Sequence, residues 1–162
     1  MPSSHHVKGP ASGLSQPPPA ASSAQGDAAV PVELSQLEVV FENALLQARF
    51  LASRRLLWVT RSSQPTESGS MLQTLRQAQP IIERLGAQLM LLDLREGPGR
   101  NDASFEAAML PAIGSLLSRF VRSAMLVKTA VGRLQLQRLG RETSISLTVF
   151  QDEQEALRFL LG

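Results

Sequence analysis

The sequence has no cysteine and no tyrosine, and its two histidines, His5 and His6, both stand near the start of the chain. Without cysteine, disulfide bonds, thiolate metal sites and cysteine nucleophiles are excluded. Beyond His6 there is no imidazole, which is the commonest general base near neutral pH and the commonest metal ligand. These absences argue against a histidine-dependent hydrolase and against a metal centre.

Lysine is almost absent as well, at Lys8 and Lys128, whereas arginine occurs 14 times and the formal net charge is +2. Arginine stays protonated, so these side chains suit anion binding better than proton transfer. No basic stripe or basic helix with interleaved aromatics is present, so we expect no nucleic-acid partner. No apolar run reaches about 18 residues, and residues 1–30 lack the apolar segment of a secretory signal. The sequence therefore predicts a cytoplasmic protein without a membrane span.

Large apolar side chains are scarce in residues 1–32, where Pro, Ser, Ala and Gly supply 21 of the 32 positions. Such a stretch cannot bury enough surface to offset its ordering entropy, so we predict a disordered tail over 1–32 and one domain over 33–162. The triplet Pro17-Pro18-Pro19 is compatible with a ligand for an aromatic-lined groove. We favour a plain tail or linker over that reading.

Hydrophobic patterning in the remaining residues alternates strands with helices. Residues 43–53 are ambiguous, because a helical turn and a continued strand both fit. Predicted strands are Leu37–Phe41, Arg54–Arg61, Leu89–Leu94, Ser123–Lys128 and Ile145–Phe150. The order β-β-α-β-α-β-α-β-α predicts an α/β fold with a mixed, mostly parallel sheet of about five strands and about four helices.

Helix boundaries carry their own signals. Asp102, Thr129 and Asp152 are expected N-caps, and Gly86 and Gly140 are expected stops. Pro80 predicts a kink or break in the first helix, and Pro111 with Gly114 predicts a bend or restart in the second. The run Leu89–Leu94 is apolar on both faces, as in a central strand covered on two sides.

Three segments, LLDLREGPGRND, AMLVKTAVGRLQLQR and VFQDEQEALRFL, resemble those of STAS-like proteins, over roughly residues 37–161. These are relatives of the anti-sigma-factor antagonists, and the chain is most similar to an uncharacterised bacterial branch. The resemblance implies a single STAS-like domain that acts in signalling through contact with another protein, such as a regulatory kinase. The antagonists carry a phosphorylatable serine at a helix start in an Asp-Ser-Ser/Thr-Gly turn, which the loop Arg95–Asn101 replaces here. The resemblance implies that Ser104, the hydroxyl residue at this helix start, is the corresponding phosphorylation site. The alternative is that Ser104 is an ordinary serine in the first turn of the helix.

Ligands of mostly parallel sheets gather beyond the carboxyl ends of the strands. Three segments meet that description: Arg95–Asp102, Lys128–Arg133 and Phe150–Asp152. We expect an anion-binding or acidic-partner surface there, and the alternative is ordinary loop geometry with solvated arginines. Its candidate residues are Asp93, Arg95, Arg100, Asn101, Asp102, Lys128, Thr129 and Arg133.

Asp93 stands out because a carboxylate at the end of an apolar strand is costly unless it is paired. A catalytic role is one reading; we favour pairing with Arg95 or Arg100 or with backbone N–H groups of the following loop. Trp58, the one tryptophan, is expected in the core rather than as a stacking platform. Arg133, Arg138 and Arg141 form either a solvated helix face or a contact for an acidic surface.

The sequence favours a non-enzymatic regulatory interaction module that needs no cofactor. The alternative is a small-molecule or lipid carrier with an apolar cavity between the second helix and the sheet, where Pro111 and Gly114 let that helix bow outward. An enzyme that uses Asp93 with an arginine is a third, weaker reading.

Overall fold

A computed structural model describes residues 34–99 and 102–162, which contain a six-stranded sheet and four helices. The predicted tail over 1–32 lies outside the described residues. The strands are β1 (Glu38–Glu42), β2 (Leu46–Leu51), β3 (Leu56–Arg61), β4 (Leu89–Asp93), β5 (Arg122–Leu126) and β6 (Val149–Phe150). The helices are α1 (Ser68–Leu85), α2 (Ala103–Leu117), α3 (Ala130–Thr143) and α4 (Glu153–Leu161). The predicted α/β class is confirmed, with one strand more than expected.

The additional strand is β2, which comes from the segment that the sequence left ambiguous. Its buried residues alternate with partly exposed ones from Leu46 to Arg49, as on a strand with one face in the core. Asn43 starts the strand, because its side-chain oxygen accepts the N–H groups of Leu45 and Leu46 at 2.9 and 3.0 Å. At the other end Arg55 adopts a left-handed conformation that turns the chain into β3.

The strands lie side by side in chain order. β1, β2 and β3 pair antiparallel, whereas β3 to β6 pair parallel, so the sheet is mixed as predicted. A helix follows each of the parallel strands, as crossover connections require. The carboxyl ends of β3, β4, β5 and β6 therefore meet at one edge of the sheet.

Two separate cores sandwich the sheet. Residues from α1, α2 and α3 pack on one face, and residues from α4 pack on the other. β4 is buried from both sides, with Met90 and Leu92 in the first core and Leu91 in the second, which confirms the prediction of a central strand. α4 packs mainly on β4, β5 and β6, and its side chains also share the second core with Leu56 and Trp58 of β3, so the helix cover is thinner over β2 and β3 than over the other three strands.

The break predicted at Pro80 and the restart predicted at Pro111 do not occur, whereas the alternatives of a kink and a bend stay predictions. α1 runs through Pro80 and α2 runs through Pro111 without a break. Both prolines are exposed, so water can reach the carbonyl groups that lose their helical hydrogen bond. The N-caps Asp102, Thr129 and Asp152 and the left-handed stop at Gly86 are confirmed.

Gly140 does not end α3, which continues to Thr143 and ends at Ser144 in the left-handed conformation. The glycine has a packing role instead: a Cβ there would lie 2.8 Å from the carbonyl oxygen of Ile145, where the chain folds back over the helix. The last strand is also shorter than predicted, since Ile145 and Leu147 pack against α2 and α3 rather than joining the sheet.

Gly140→Ala is expected to destabilise the protein by about 1–3 kcal/mol, because the new methyl group meets backbone that has no rotamer to change. Gly69→Ala is the matched control, since a Cβ at Gly69 in α1 meets nothing within 4 Å. That change should stabilise by up to about 1 kcal/mol. Urea unfolding of the two variants measures both effects, and equal shifts in the same direction would contradict the packing role.

Arg61, at the end of β3, is a buried cation with a structural role that the sequence did not reveal. Its guanidinium donates to the carbonyl oxygens of Leu45 and Ser62 at 3.2 and 2.8 Å and to that of Gln64 at 2.6 Å. It thereby fastens the β1–β2 turn to the loop that leads into α1. Such carbonyl groups would otherwise be buried without donors.

Arg61→Met should lower the free energy of unfolding by about 3 kcal/mol, because the thioether fills the space but donates no hydrogen bonds. Arg76→Met, an exposed arginine in α1, should change it by less than about 0.5 kcal/mol. Denaturant titration of both variants distinguishes a structural guanidinium from a solvated one; equal stabilities would refute the role given to Arg61.

Candidate functional site

The carboxyl edge of the parallel strands gathers most of the predicted site residues. Asp93 ends β4, Lys128 and Thr129 lie between β5 and α3, and Asp152 lies between β6 and α4. Adjacent parallel strands bring these ends together, since Asp93 pairs in register with Leu126. Arg100 and Asn101, also predicted here, lie outside the described residues.

Asp93 and Arg95 form a bidentate ion pair at the centre of this edge. The Asp93 side chain is 6% exposed, and its Oδ2 accepts from Nη2 of Arg95 at 2.7 Å. Oδ1 accepts from Nε and from the backbone N–H of Arg95 at 3.0 and 3.1 Å. Both forms of the predicted pairing, with the arginine and with the loop backbone, are therefore present.

Arg95 also reaches the last helix, because Nη2 lies 2.8 Å from Oε2 of Glu153 in the first turn of α4. The hydrogen bonds that Arg95 donates to Asp93 raise the pKa of Arg95 above its ordinary value; burial opposes the shift, and the charges of Asp93 and Glu153 add to it. The guanidinium stays charged and is already bonded to two carboxylates. Arg95 therefore positions α4, and its guanidinium is not an unpaired cation that a ligand could bind.

Two of the predicted binding residues cap helices. Oδ1 of Asp102 accepts from the N–H groups of Ser104 and Phe105 at 3.0 and 3.3 Å and from the Ser104 hydroxyl at 2.6 Å. Oγ1 of Thr129 accepts from the N–H of Gly132 at 3.0 Å. These contacts satisfy N–H groups at the starts of α2 and α3, so the helix N-termini are occupied by the protein's own side chains.

The remaining predicted cations are exposed. Lys128 makes no hydrogen bond or ion pair with the described residues and lies at the rim of a cleft. Arg133 lies on the exposed side of α3 and is not among the described residues that line that cleft. The structure therefore brings Asp93, Arg95 and Lys128 together and places Arg133 elsewhere.

The cleft, here called the β2–β3 cleft, has a volume of about 410 Å³ and lies on the α4 face of the sheet. Its lining residues are Leu37, Arg49, Trp58, Thr60, Asp93, Arg95, Glu96, Lys128 and Glu153. Sequence reasoning missed Arg49 and Thr60 and assigned Trp58 to the core alone. Trp58 is indeed buried in the second core, and one side of it also faces the cleft. Once β2 is recognised as a strand, the pairing of Arg49 with Trp58 is the signal that points to this face.

A second surface lies on α3. Val131 and Leu134 are 74% and 62% exposed, and Arg133 and Arg138 flank them. Nε2 of Gln135 donates to Oε1 of Glu106 in α2 at 2.7 Å, which joins the first turn of α2 to the second turn of α3. We call the side chains of Val131, Arg133, Leu134 and Arg138 the α3 surface.

The space that a carrier would need behind α2 is occupied near Gly114. An added Cβ at Gly114 would lie 2.8 Å from Cδ1 of Ile145, so this side chain packs directly on the glycine. A further cleft of about 500 Å³ lies at the end of α3, lined by residues such as Gln137, Arg141 and Leu147. Neither of the two clefts is the predicted cavity between α2 and the sheet, and the carrier hypothesis stays a prediction.

The described residues contain no group of three or more His, Cys, Asp and Glu side chains arranged to hold a metal ion. None of their helices combines the length and the apolar character of a membrane-spanning segment.

Comparison with known proteins finds no matching family model, no matching curated protein and no matching solved structure. The resemblance to STAS-like proteins therefore rests on the three quoted segments and stays a prediction.

Asp93→Asn is expected to lower the free energy of unfolding by about 2 kcal/mol, because it leaves Arg95 without its buried counter-charge. Glu153→Gln changes the other, more exposed partner of the same guanidinium and should cost less than about 1 kcal/mol. Thermal and urea unfolding of the two variants test the ranking. A variant at Asp93 as stable as the wild type would contradict the structural role and return attention to a functional one.

Proposed function

We propose that this protein is a non-enzymatic, cytoplasmic regulatory module, STAS-like in kind, that acts by binding another protein. The observation that carries the proposal is the pair of aliphatic side chains on α3 that are largely exposed to solvent. Val131 is 74% and Leu134 is 62% exposed, beside the strand-end edge of the sheet.

The two side chains belong to one side of the helix. Positions three apart on a helix are neighbours, so Val131 and Leu134 together present one apolar spot. The opposite side of α3 faces the protein interior, since Leu136 packs against the first core and Leu139 is buried. The exposed spot therefore adds no packing to the core. Apolar patches rimmed by polar groups are typical of protein contacts.

Charge around the spot favours an acidic partner. Arg133 is exposed beside Leu134, and Arg138 continues the same side and pairs loosely with Glu142 at 3.6 Å. Lys128 is exposed just before the helix. Positive groups around an apolar centre select acidic partners and speed their association more than they add affinity.

Ser104 lies at the start of α2, next to this surface, and is exposed. The Gln135–Glu106 hydrogen bond brings its helical turn close to α3. A phosphate on Ser104 would adjoin the carboxylate of Asp102 and compete for the same helix N–H groups. Phosphorylation at Ser104 would thus alter the edge of the α3 surface, which supports the proposed regulation.

The chemistry of the carboxyl edge supports a binding role over a catalytic one. Its buried carboxylate and its arginine are bonded to each other, and the chain has no imidazole after His6 and no thiol to act as base or nucleophile.

Affinity capture from a lysate of the source organism tests the proposal. The double variant Val131→Ser, Leu134→Ser should lose at least about tenfold of a partner that the wild type captures, because it removes the apolar centre of the contact. Val121→Ser is the matched control, since Val121 is 75% exposed at the opposite edge of the sheet. Capture should also weaken with rising salt and with Arg133→Glu.

Circular dichroism should show that the double variant folds like the wild type. The proposal is overturned if the same proteins are captured, in the same amounts, by the wild type, the double variant and the Val121 variant.

A further inference from the structure

Three buried polar atoms in the β2–β3 cleft make no hydrogen bond within the described part of the chain. They are Nε of Arg49, Nε1 of Trp58 and Oγ1 of Thr60. Buried polar groups in native proteins are almost always paired with protein, water or ligand. Three unpaired atoms in one cleft are therefore a sign that something else belongs there.

Strand register places the three side chains together. Arg49 on β2 pairs directly with Trp58 on β3, and Thr60 follows Trp58 by two residues on the same face. The Arg49 guanidinium carbon lies 5.9 Å from the centre of the Trp58 ring. The cluster thus spans two adjacent strands at the border of the second core, where the cover by α4 is thinner than on β4, β5 and β6.

Hydrogen-bond character decides what the cluster can bind. Arginine Nε and tryptophan Nε1 can only donate, and the threonine hydroxyl can donate as well. Of the three carboxylates that line the cleft, Asp93 and Glu153 are bonded to Arg95, and Glu96 is exposed to solvent, as is Lys128. The Arg49 guanidinium has no carboxylate partner among the described residues and supplies positive charge beside the unpaired donors. A ligand that completes this set must bring acceptor oxygens, and the charge of Arg49 favours an anion.

The rest of the cleft limits the size and polarity of the ligand. Leu37 and the ring of Trp58 give it apolar walls, and its volume of about 410 Å³ suits a small molecule. Trp58 is only 4% exposed and its Nε1 is buried, so a group that reaches this N–H is itself largely shielded from water.

We propose that the β2–β3 cleft binds a small organic carboxylate that carries a short apolar group. The carboxylate accepts hydrogen bonds from Trp58, Thr60 and Arg49, and the apolar group packs between Leu37 and the indole ring. The three atoms are buried in the free protein and Arg49 lies over the ring, so we expect its side chain to shift when the ligand enters. This site lies on the opposite face of the sheet from the helices that carry the α3 surface.

The single tryptophan provides a direct test, because an ¹⁵N-labelled sample gives one indole N–H signal that needs no assignment. Sodium hexanoate should move this signal downfield along a saturable curve as the N–H bonds to the carboxylate. Acetate, which lacks the apolar group, should bind at least about tenfold more weakly, and 1-hexanol, which lacks the charge, should give no saturable downfield shift.

Variants test the individual donors. Thr60→Val keeps the shape, removes an unpaired hydroxyl and should weaken hexanoate binding about tenfold without loss of the fold. Arg49→Met should weaken it at least as much, whereas Arg76→Met, an exposed arginine of α1, should leave it unchanged.

The inference is overturned if hexanoate gives no saturable shift, if hexanol shifts the signal equally, or if both cleft variants bind like the wild type. Capture through Val131 and Leu134 would be unaffected by any of these results, so the two proposals fail separately.

Discussion

The burial of β4 on both faces is the constraint on which the rest of the structure depends. Its apolar residues separate two cores, and the strand ends in Asp93, a carboxylate that the cores cannot tolerate unpaired. Arg95 neutralises it and reaches on to Glu153, which attaches the start of α4 to the same point. One ion-pair cluster thus ends the central strand and locates the helix that covers the second core.

The helices cover the two faces of the sheet unequally, and this difference explains where the β2–β3 cleft arises. In the described part of the chain, α1, α2 and α3 pack on one face of the sheet. α4 packs on the other face, mainly on β4, β5 and β6. The antiparallel strands β2 and β3 beside it carry Arg49, Trp58 and Thr60 on the less covered side. A strand face that is neither fully packed nor fully solvated is where polar atoms become buried without partners.

The polar groups at the carboxyl edge divide into two kinds. Asp102, Thr129 and Asp152 cap helices, and Asp93 pairs with Arg95, so these groups serve folding. Lys128, Arg133 and the aliphatic pair on α3 have no such task among the described residues, and they remain exposed. Position at a strand end therefore does not by itself separate a binding residue from a structural one; the contacts of each side chain do.

Local signals in the sequence were sufficient for the α/β class, for most element positions, for the N-caps and for the pairing of Asp93, because these depend on neighbours a few residues apart. They misjudged Gly140, where the outcome depends on a chain segment that folds back from elsewhere, and they allowed helix breaks at Pro80 and Pro111 that do not occur. They also left residues 43–53 undecided, because a six-residue segment that mixes apolar and polar residues becomes a strand only when β1 and β3 supply its hydrogen bonds.

The sequence by itself determined the composition of the core and the chemistry that is absent. Tertiary structure alone decided that Arg61 is buried among carbonyl groups and that Arg49, Trp58 and Thr60 share a cleft, since each depends on contacts between distant parts of the chain.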